Sequence, residues 1–319
     1  MYFDNNWYGD RYILSKYCST KDKPAFASIQ HGHNSSKILL ENTNGSKKKV
    51  GEPAGKRRFS KLIPWLTWNE KIASYSVNNG YANVIPIGSV FLYVQKILDL
   101  KINKDSKGTL VFPLLSHPEQ RNDIDYLRLI SYLKKNHPAP YTISVSQFEY
   151  ERSKNHFDKN AEVKLITFGT RGDKDYLIKL YNCINNHAEI FCTYPGSPIL
   201  YSLYLKKKIS LSEDYFLEKI SKEYFLELNA SSKFILDDFK EYGINVENFN
   251  IDINKEKIND MLGTQHLKSP KEIKRLLGWD NIFKIIGSKI LYQINNTKEN
   301  FKHGKNHAEN MRLGRKNSE

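Results

Sequence analysis

Two stretches near the middle of the chain carry residue types and spacings suited to holding phosphate. Gly169-Thr170-Arg171-Gly172 follows an apolar strand candidate and leads into a helical stretch. Thr193-Tyr194-Pro195-Gly196-Ser197-Pro198 follows a second strand candidate and opens a helix with small residues. A helix N-terminus carries N–H groups without intrahelical partners and the positive end of the helix dipole, so it attracts anions. Tyr194, Gly196 and Ser197 are therefore candidates for a backbone phosphate cradle, and Thr170 and Arg171 for its side-chain half. Arginine suits that role because its planar fork is permanently charged and grips oxygen pairs. The plainer alternatives are ordinary N-capping at the second turn and a turn arginine paired with Asp173 or Asp175 at the first.

Histidines stand after two other strand candidates. Ser116-His117-Pro118 follows the apolar run 109–115, where a side chain could donate to a phosphate or to a base, or simply face solvent. His31-Gly32-His33 follows Phe26–Gln30. Group transfer to a hydroxyl needs a proton acceptor working near neutral pH, which is histidine's usual task. His31 and His33 are the catalytic candidates, against the alternative of two turn histidines; no third metal ligand lies nearby in sequence, so no metal is expected. Glu70, Glu119 and Asp173 are carboxylates placed near these turns, and none of them stands out.

Alternating strands and helices must position these turns. Strands are predicted at 109–115, 141–148, 163–168, 188–192 and 208–211, with helices at 123–136, 173–186 and 197–206. That alternation argues for an α/β fold with parallel sheets flanked by helices. Ligands on such sheets bind beyond the carboxyl ends of the strands, where these turns lie. Before position 100, strands at 26–30, 61–68 and 83–89 alternate with helices at 7–18, 69–79 and 90–99. The polar segment Lys101–Lys107 marks a boundary between domains 1–100 and 101–295, and a basic tail occupies 296–319. Residues 212–295 read mainly as helices. Ser269-Pro270-Lys271-Glu272 has the form of a capping box, and 282–294 gathers Ile282, Phe283, Ile285, Ile286, Ile290 and Leu291 on one face.

With 319 residues, 39% hydrophobic, the chain is globular and long enough for two cores. Its net charge of +14 points to an anionic partner. The loop 36–61 holds eight Lys and Arg against Glu41 and Glu52; it fits an anionic acceptor, a lipid surface or plain solvated charge. The three cysteines are odd in number and lack metal-site spacing, as expected of free thiols in a reducing compartment. The first residues have no signal-peptide pattern, and no apolar run approaches a membrane span, so a cytoplasmic protein is expected. Fingerprints of Rossmann dinucleotide sites, P-loops, zincins and serine hydrolases are absent. A nucleic-acid-binding protein would share the charge and the 20 tyrosines, but the basic residues spread over loops without a recognisable module.

Four places in the chain give it a likeness to a known group. These are Trp7-Tyr8-Gly9 with Gln30-His31-Gly32-His33; Trp68-Asn69 with Asn83–Tyr93; Phe112-Pro113 with Ser116-His117; and Gly169-Thr170-Arg171 with Gly196-Ser197 and the helix ending near Lys208-Ile209. Over residues 7–290 the chain resembles bacterial glycosyltransferases of the GT-B type found among surface-polysaccharide genes. The resemblance implies two Rossmann-like domains facing a cleft. A nucleotide-sugar donor would be held mainly by the second domain, and a glycan or lipid-linked acceptor by the first. It implies no metal or other cofactor. Peripheral contact with an anionic membrane is expected through the basic loop and tail, and nucleic acid is not. An epimerase or a glycerophosphate transferase on the same architecture is the alternative.

Overall fold

The computed structural model describes residues 7–32, 62–78, 80–99, 101–114, 123–154, 157, 162–170, 172–212, 214–218, 221–242, 244, 251–287 and 290. His33, Ser116, His117, Arg171, the basic loop 36–61 and the tail 296–319 lie outside these residues.

Two parallel sheets organise the chain. The first holds β1 (Ser28–Ile29), β2 (Trp65–Thr67) and β3 (Val84–Pro86) in that order. Around it run α1 (Asp10–Tyr17), α2 (Glu70–Asn78) and α3 (Val90–Leu98). The second sheet has the order β6-β5-β4-β7-β8, from β4 (Thr109–Phe112), β5 (Tyr141–Val145), β6 (Val163–Thr167), β7 (Glu189–Cys192) and β8 (Lys208–Leu211). Its connecting helices are α4 (Tyr126–Asn136), α5 (Gln147–Ser153), α6 (Tyr176–Asn186) and α7 (Ser197–Tyr204). The chain steps outward from β4 to β6, then returns to β7 on the other side of β4. Every connection joins parallel strands, and the reversal carries α6 and α7 to the opposite face from α4, as right-handed crossovers require.

The alternation of strand side chains fills both faces. Val111, Ile143, Val145 and Phe191 meet Leu129 and Leu133 of α4 on one side. Leu110, Ile190 and Cys192 meet α6 and α7 on the other, within a core that also includes Ile13, Leu66 and Phe91 of the first half. One continuous core thus lies between the two sheets. Cys18, Cys183 and Cys192 are free thiols; burial pushes Cys192 up to about 12, so it is a packing residue and not a nucleophile.

The wall between the sheets is α3. Val90, Phe91, Leu92, Tyr93 and Val94 are all buried, because α1 packs on one side of the helix and α6 on the other. The Phe91 ring stacks on Tyr201 of α7, with centroids 4.0 Å apart and planes within 6°.

Three differences from the expected elements have identifiable hydrogen-bonding causes. The strand expected at 109–115 ends at Phe112, where Leu114 N–H leaves the ladder to bond Thr193 Oγ1 at 2.9 Å. The strand expected over 141–148 ends at Val145. Ser146 then caps α5 by accepting from Glu149 N–H, a helix the alternation alone did not announce. Residues beyond α8 (Lys222–Glu241) cross back to the first sheet. In α9 (Ile251–Leu262), Met261 O accepts from Asn69 Nδ2 at 2.7 Å and Leu262 O from Ser89 N–H at 2.8 Å. After α10 (Pro270–Leu276), whose capping box is formed as expected, Leu277 O accepts from Phe26 N–H at 2.9 Å. At Gly263, φ is +70° and a Cβ would overlap the Trp68 carbonyl, so only glycine allows this approach.

Two predictions follow from this packing. Phe91→Ala should lower unfolding free energy by about 3–5 kcal/mol in urea titration, through the cavity it leaves in a fully buried wall. The second concerns Glu189, which is 3% exposed and bonds His137 Nδ1 (2.7 Å), Ser210 Oγ (3.0 Å) and Lys208 Nζ (3.0 Å). Burial alone would raise its pKa, but these donors hold it below the ordinary carboxylate range. Its contribution should be whole above a pH of about 4.3, the unfolded value, and be lost as pH falls through the lower folded value. Glu189→Gln should flatten this acid limb of the stability curve.

Candidate functional site

The order of the second sheet reverses between β4 and β7, and ligands bind at such reversals in open parallel sheets. The two loops leaving this point are tied together. Thr193 N–H donates to Phe112 O at 3.1 Å, and Thr193 Oγ1 accepts from Leu114 N–H at 2.9 Å. The loop after β7 then runs through half-buried Tyr194 and Gly196 into α7. Gly196 is extended (φ 174°, ψ −169°), and no side chain caps the helix. Pro198 has no N–H, so the amide donors at this end are those of Gly196 and Ser197.

The first half supplies the other wall. Gly32, with φ +63°, brings its backbone against α7, and a Cβ there would meet Ser197 Oγ at 3.1 Å. His31 and Ser197, far apart in sequence, thus stand on adjoining turns. Gln30 holds the turn after β1: its Oε1 accepts from Trp68 N–H at 2.9 Å and its Nε2 donates to Gly32 O at 3.1 Å.

The group that orients His31 is Asp10, which did not figure among the carboxylates considered from sequence. Asp10 Oδ2 lies 2.6 Å from His31 Nδ1. Asp10 is 4% exposed. Burial raises its pKa, against the opposing pull of His31. The His31 side chain is 23% exposed, and Nε2 has no hydrogen-bond partner among the described residues. A carboxylate on Nδ1 fixes the tautomer that leaves Nε2 able to accept a proton. The indole of Trp7 stacks on the imidazole, centroids 5.8 Å apart. One signal for Asp10 was present in the chain: it shares a helical face with Ile13 and Leu14, an acid where an apolar residue is expected.

Asp10 reaches His31 through a constrained turn. Tyr8 is left-handed (φ 58°) and Gly9 caps α1 at φ 77°. A Cβ on Gly9 would overlap the Lys174 carbonyl, so this turn presses directly on the loop after β6. Thr170 lies exposed in that loop. Of the earlier carboxylate candidates, Asp173 is engaged by Lys179 Nζ at 2.7 Å and Glu70 accepts from Ser74 Oγ at the surface. Tyr201 lies close to Asp10, Ser89 and Ser197; burial pushes its hydroxyl pKa far up, so it stays protonated. Among the described residues, no three His, Cys, Asp or Glu side chains gather as a metal site, and no helix is long and apolar enough to cross a membrane.

No family model matches the chain, and no curated protein matches it in sequence. Among solved structures, it is similar to the UDP-GlcNAc 2-epimerase from Methanocaldococcus jannaschii, at 14% identity and a TM-score of 0.36, over 84% of this chain and 89% of that one.

Gly9→Ala tests the contact that seats Asp10. The added methyl requires the turn and the 173–174 carbonyls to separate, in a backbone region alanine disfavours. A loss of about 2 kcal/mol or more in denaturant titration is expected, with the denaturant slope unchanged.

Proposed function

We propose that the protein is a nucleotide-sugar-dependent glycosyltransferase acting on a glycan or lipid-linked acceptor. The observation that carries this reading is the meeting of the Asp10–His31 pair with the Ser197 end of α7. One is a proton acceptor held in one tautomer, and the other an anion-attracting helix end. Transfer from a sugar diphosphate needs both within one cleft.

In this mechanism an acceptor hydroxyl attacks the anomeric carbon of the donor. Its proton passes to His31 Nε2 as the new C–O bond forms. The bond from the anomeric carbon to the diphosphate oxygen breaks, and the nucleoside diphosphate departs with the electron pair. Asp10 stabilises the imidazolium that results. The growing negative charge on the leaving group is met by the amides of Gly196 and Ser197, with Tyr194 and Thr170 beside them. From the sequence, Arg171 adds its guanidinium, Ser116 and His117 contact the nucleotide, and His33 assists His31. The chemistry calls for no metal, because these groups supply the charge. The reading takes the enzyme to be cytoplasmic, where nucleotide sugars are made.

The test is a thermal-shift panel of UDP, CMP, GDP, dTDP and ADP, followed by transfer assays with product analysis. A nucleotide at 100 times its Kd should stabilise the protein by about 2.7 kcal/mol. Ser197→Ala and Arg171→Ala should weaken that shift. His31→Ala and Asp10→Asn should keep it while lowering kcat by about 10²–10⁴-fold. Release of an epimerised sugar without acceptor would replace transfer by epimerisation. Salt-sensitive RNA or DNA binding with no nucleotide shift would overturn the reading.

A further inference from the structure

The turn that delivers Asp10 to His31 delivers a second side chain to the same ring. Trp7, Tyr8 and Gly9 form one short turn directly ahead of α1, left-handed at Tyr8 and Gly9. With the chain bent in this way, residues 7 and 10 both reach His31. Asp10 Oδ2 meets the ring edge at Nδ1, 2.6 Å away. The Trp7 indole covers a ring face, with centroids 5.8 Å apart and planes 24° apart. Trp7 is half-buried and the His31 side chain is 23% exposed, so the stack is not a piece of core packing. An indole and a neutral imidazole attract each other weakly. Once the imidazole is protonated, the same contact places a cation over a π face, inside the ~6 Å range where that attraction acts.

We infer that Trp7 is a positioning residue for His31: its indole holds the ring by the face and stabilises it in the protonated form. What this does for catalysis rests on the transferase reading. There the proton of the acceptor hydroxyl passes to His31 Nε2, and the O–H electron pair forms the bond to the anomeric carbon. An indole that favours the imidazolium over the imidazole favours the product of that proton transfer. Such an interaction speeds the step instead of tightening ground-state binding. Among the described residues, the ionisable groups around the ring and its turn include Asp10 on Nδ1 and Tyr201, protonated and close to Asp10. Tyr8 packs on Tyr176, and Arg11 is paired with Asp22 at 2.7 Å. Asp173 and Lys174 approach Gly9 through their backbone carbonyls; Lys179 engages the Asp173 carboxylate, and the Lys174 ammonium lies over the Tyr12 ring at 5.8 Å. None of these groups is altered when the indole loses π density and keeps its shape.

The test therefore places mono-, di- and trifluorinated tryptophan at position 7 alone, by stop-codon suppression in the full-length chain. Fluorine withdraws charge from the ring face with little change in shape. The protonation of His31 is read by NMR from its ring Cε1–H signal, assigned by its loss in His31→Gln. At one fixed pH where both forms are populated, the ratio of protonated to neutral His31 should fall with each added fluorine. In Trp7→Leu it should fall by about two- to thirtyfold, with Trp7→Phe in between. A ratio that stays flat along the fluorine series would overturn the inference, leaving Trp7 a steric neighbour only. The fluorinated proteins decide this even if Trp7→Leu loses the turn. A fluorine-dependent ratio in a protein that shows no nucleotide shift would uphold the role of Trp7 and overturn the transferase reading alone. A nucleotide shift with a flat ratio would do the reverse.

Discussion

The arrangement depends on how α3 is buried between the two sheets. The first five residues of α3, Val90 to Val94, are apolar all round the helix and have no stable place on a surface. Here α1 encloses it from one side and α6 and α7 from the other, with Phe91 stacked on Tyr201 at the closest point. His31 follows β1 and Ser197 follows β7, and the close approach of Gly32 to Ser197 brings the two turns together across this wall. Ring stacking within a dense core leaves little freedom to slide.

Around that wall, the chain uses backbone exceptions to close gaps that side chains would hold open. Gly9 presses against the Lys174 carbonyl and Gly263 against the Trp68 carbonyl, both with positive φ. The first seats Asp10 under His31; the second lets the returning chain of α9 reach the first sheet. Asn69 joins the same closure, capping α2 through Ile72 N–H while donating to Met261 O. Buried polar groups at these junctions are satisfied across large sequence separations, which ties the termini of the described chain into one body.

Much of the second sheet was legible because parallel strands and their covering helices leave strong local periodicities. The turn before Ser197 was legible for a chemical reason: Gly, Ser and Pro at a helix start have few other uses. The capping box at Ser269 was equally local and formed as read. Asp10 was harder to see, since its importance comes from a partner 21 residues away and from its own burial. The outward-facing Ile282, Phe283 and Ile286 read in sequence like a core face, because periodicity reports that a helix is amphipathic and not which side is covered.

The sequence by itself determined the α/β class, the parallel sheet, the basic character and which turns carry small or histidine residues. Each follows from local pattern and composition. Tertiary structure alone decided that the turn after β1 and the turn after β7 come together. It also decided that His31 takes Asp10 as its partner, and that residues 261–279 belong with the first sheet in packing. These are outcomes of long-range packing, where many weak contacts compete at once. No single stretch of chain holds enough of them to settle the result.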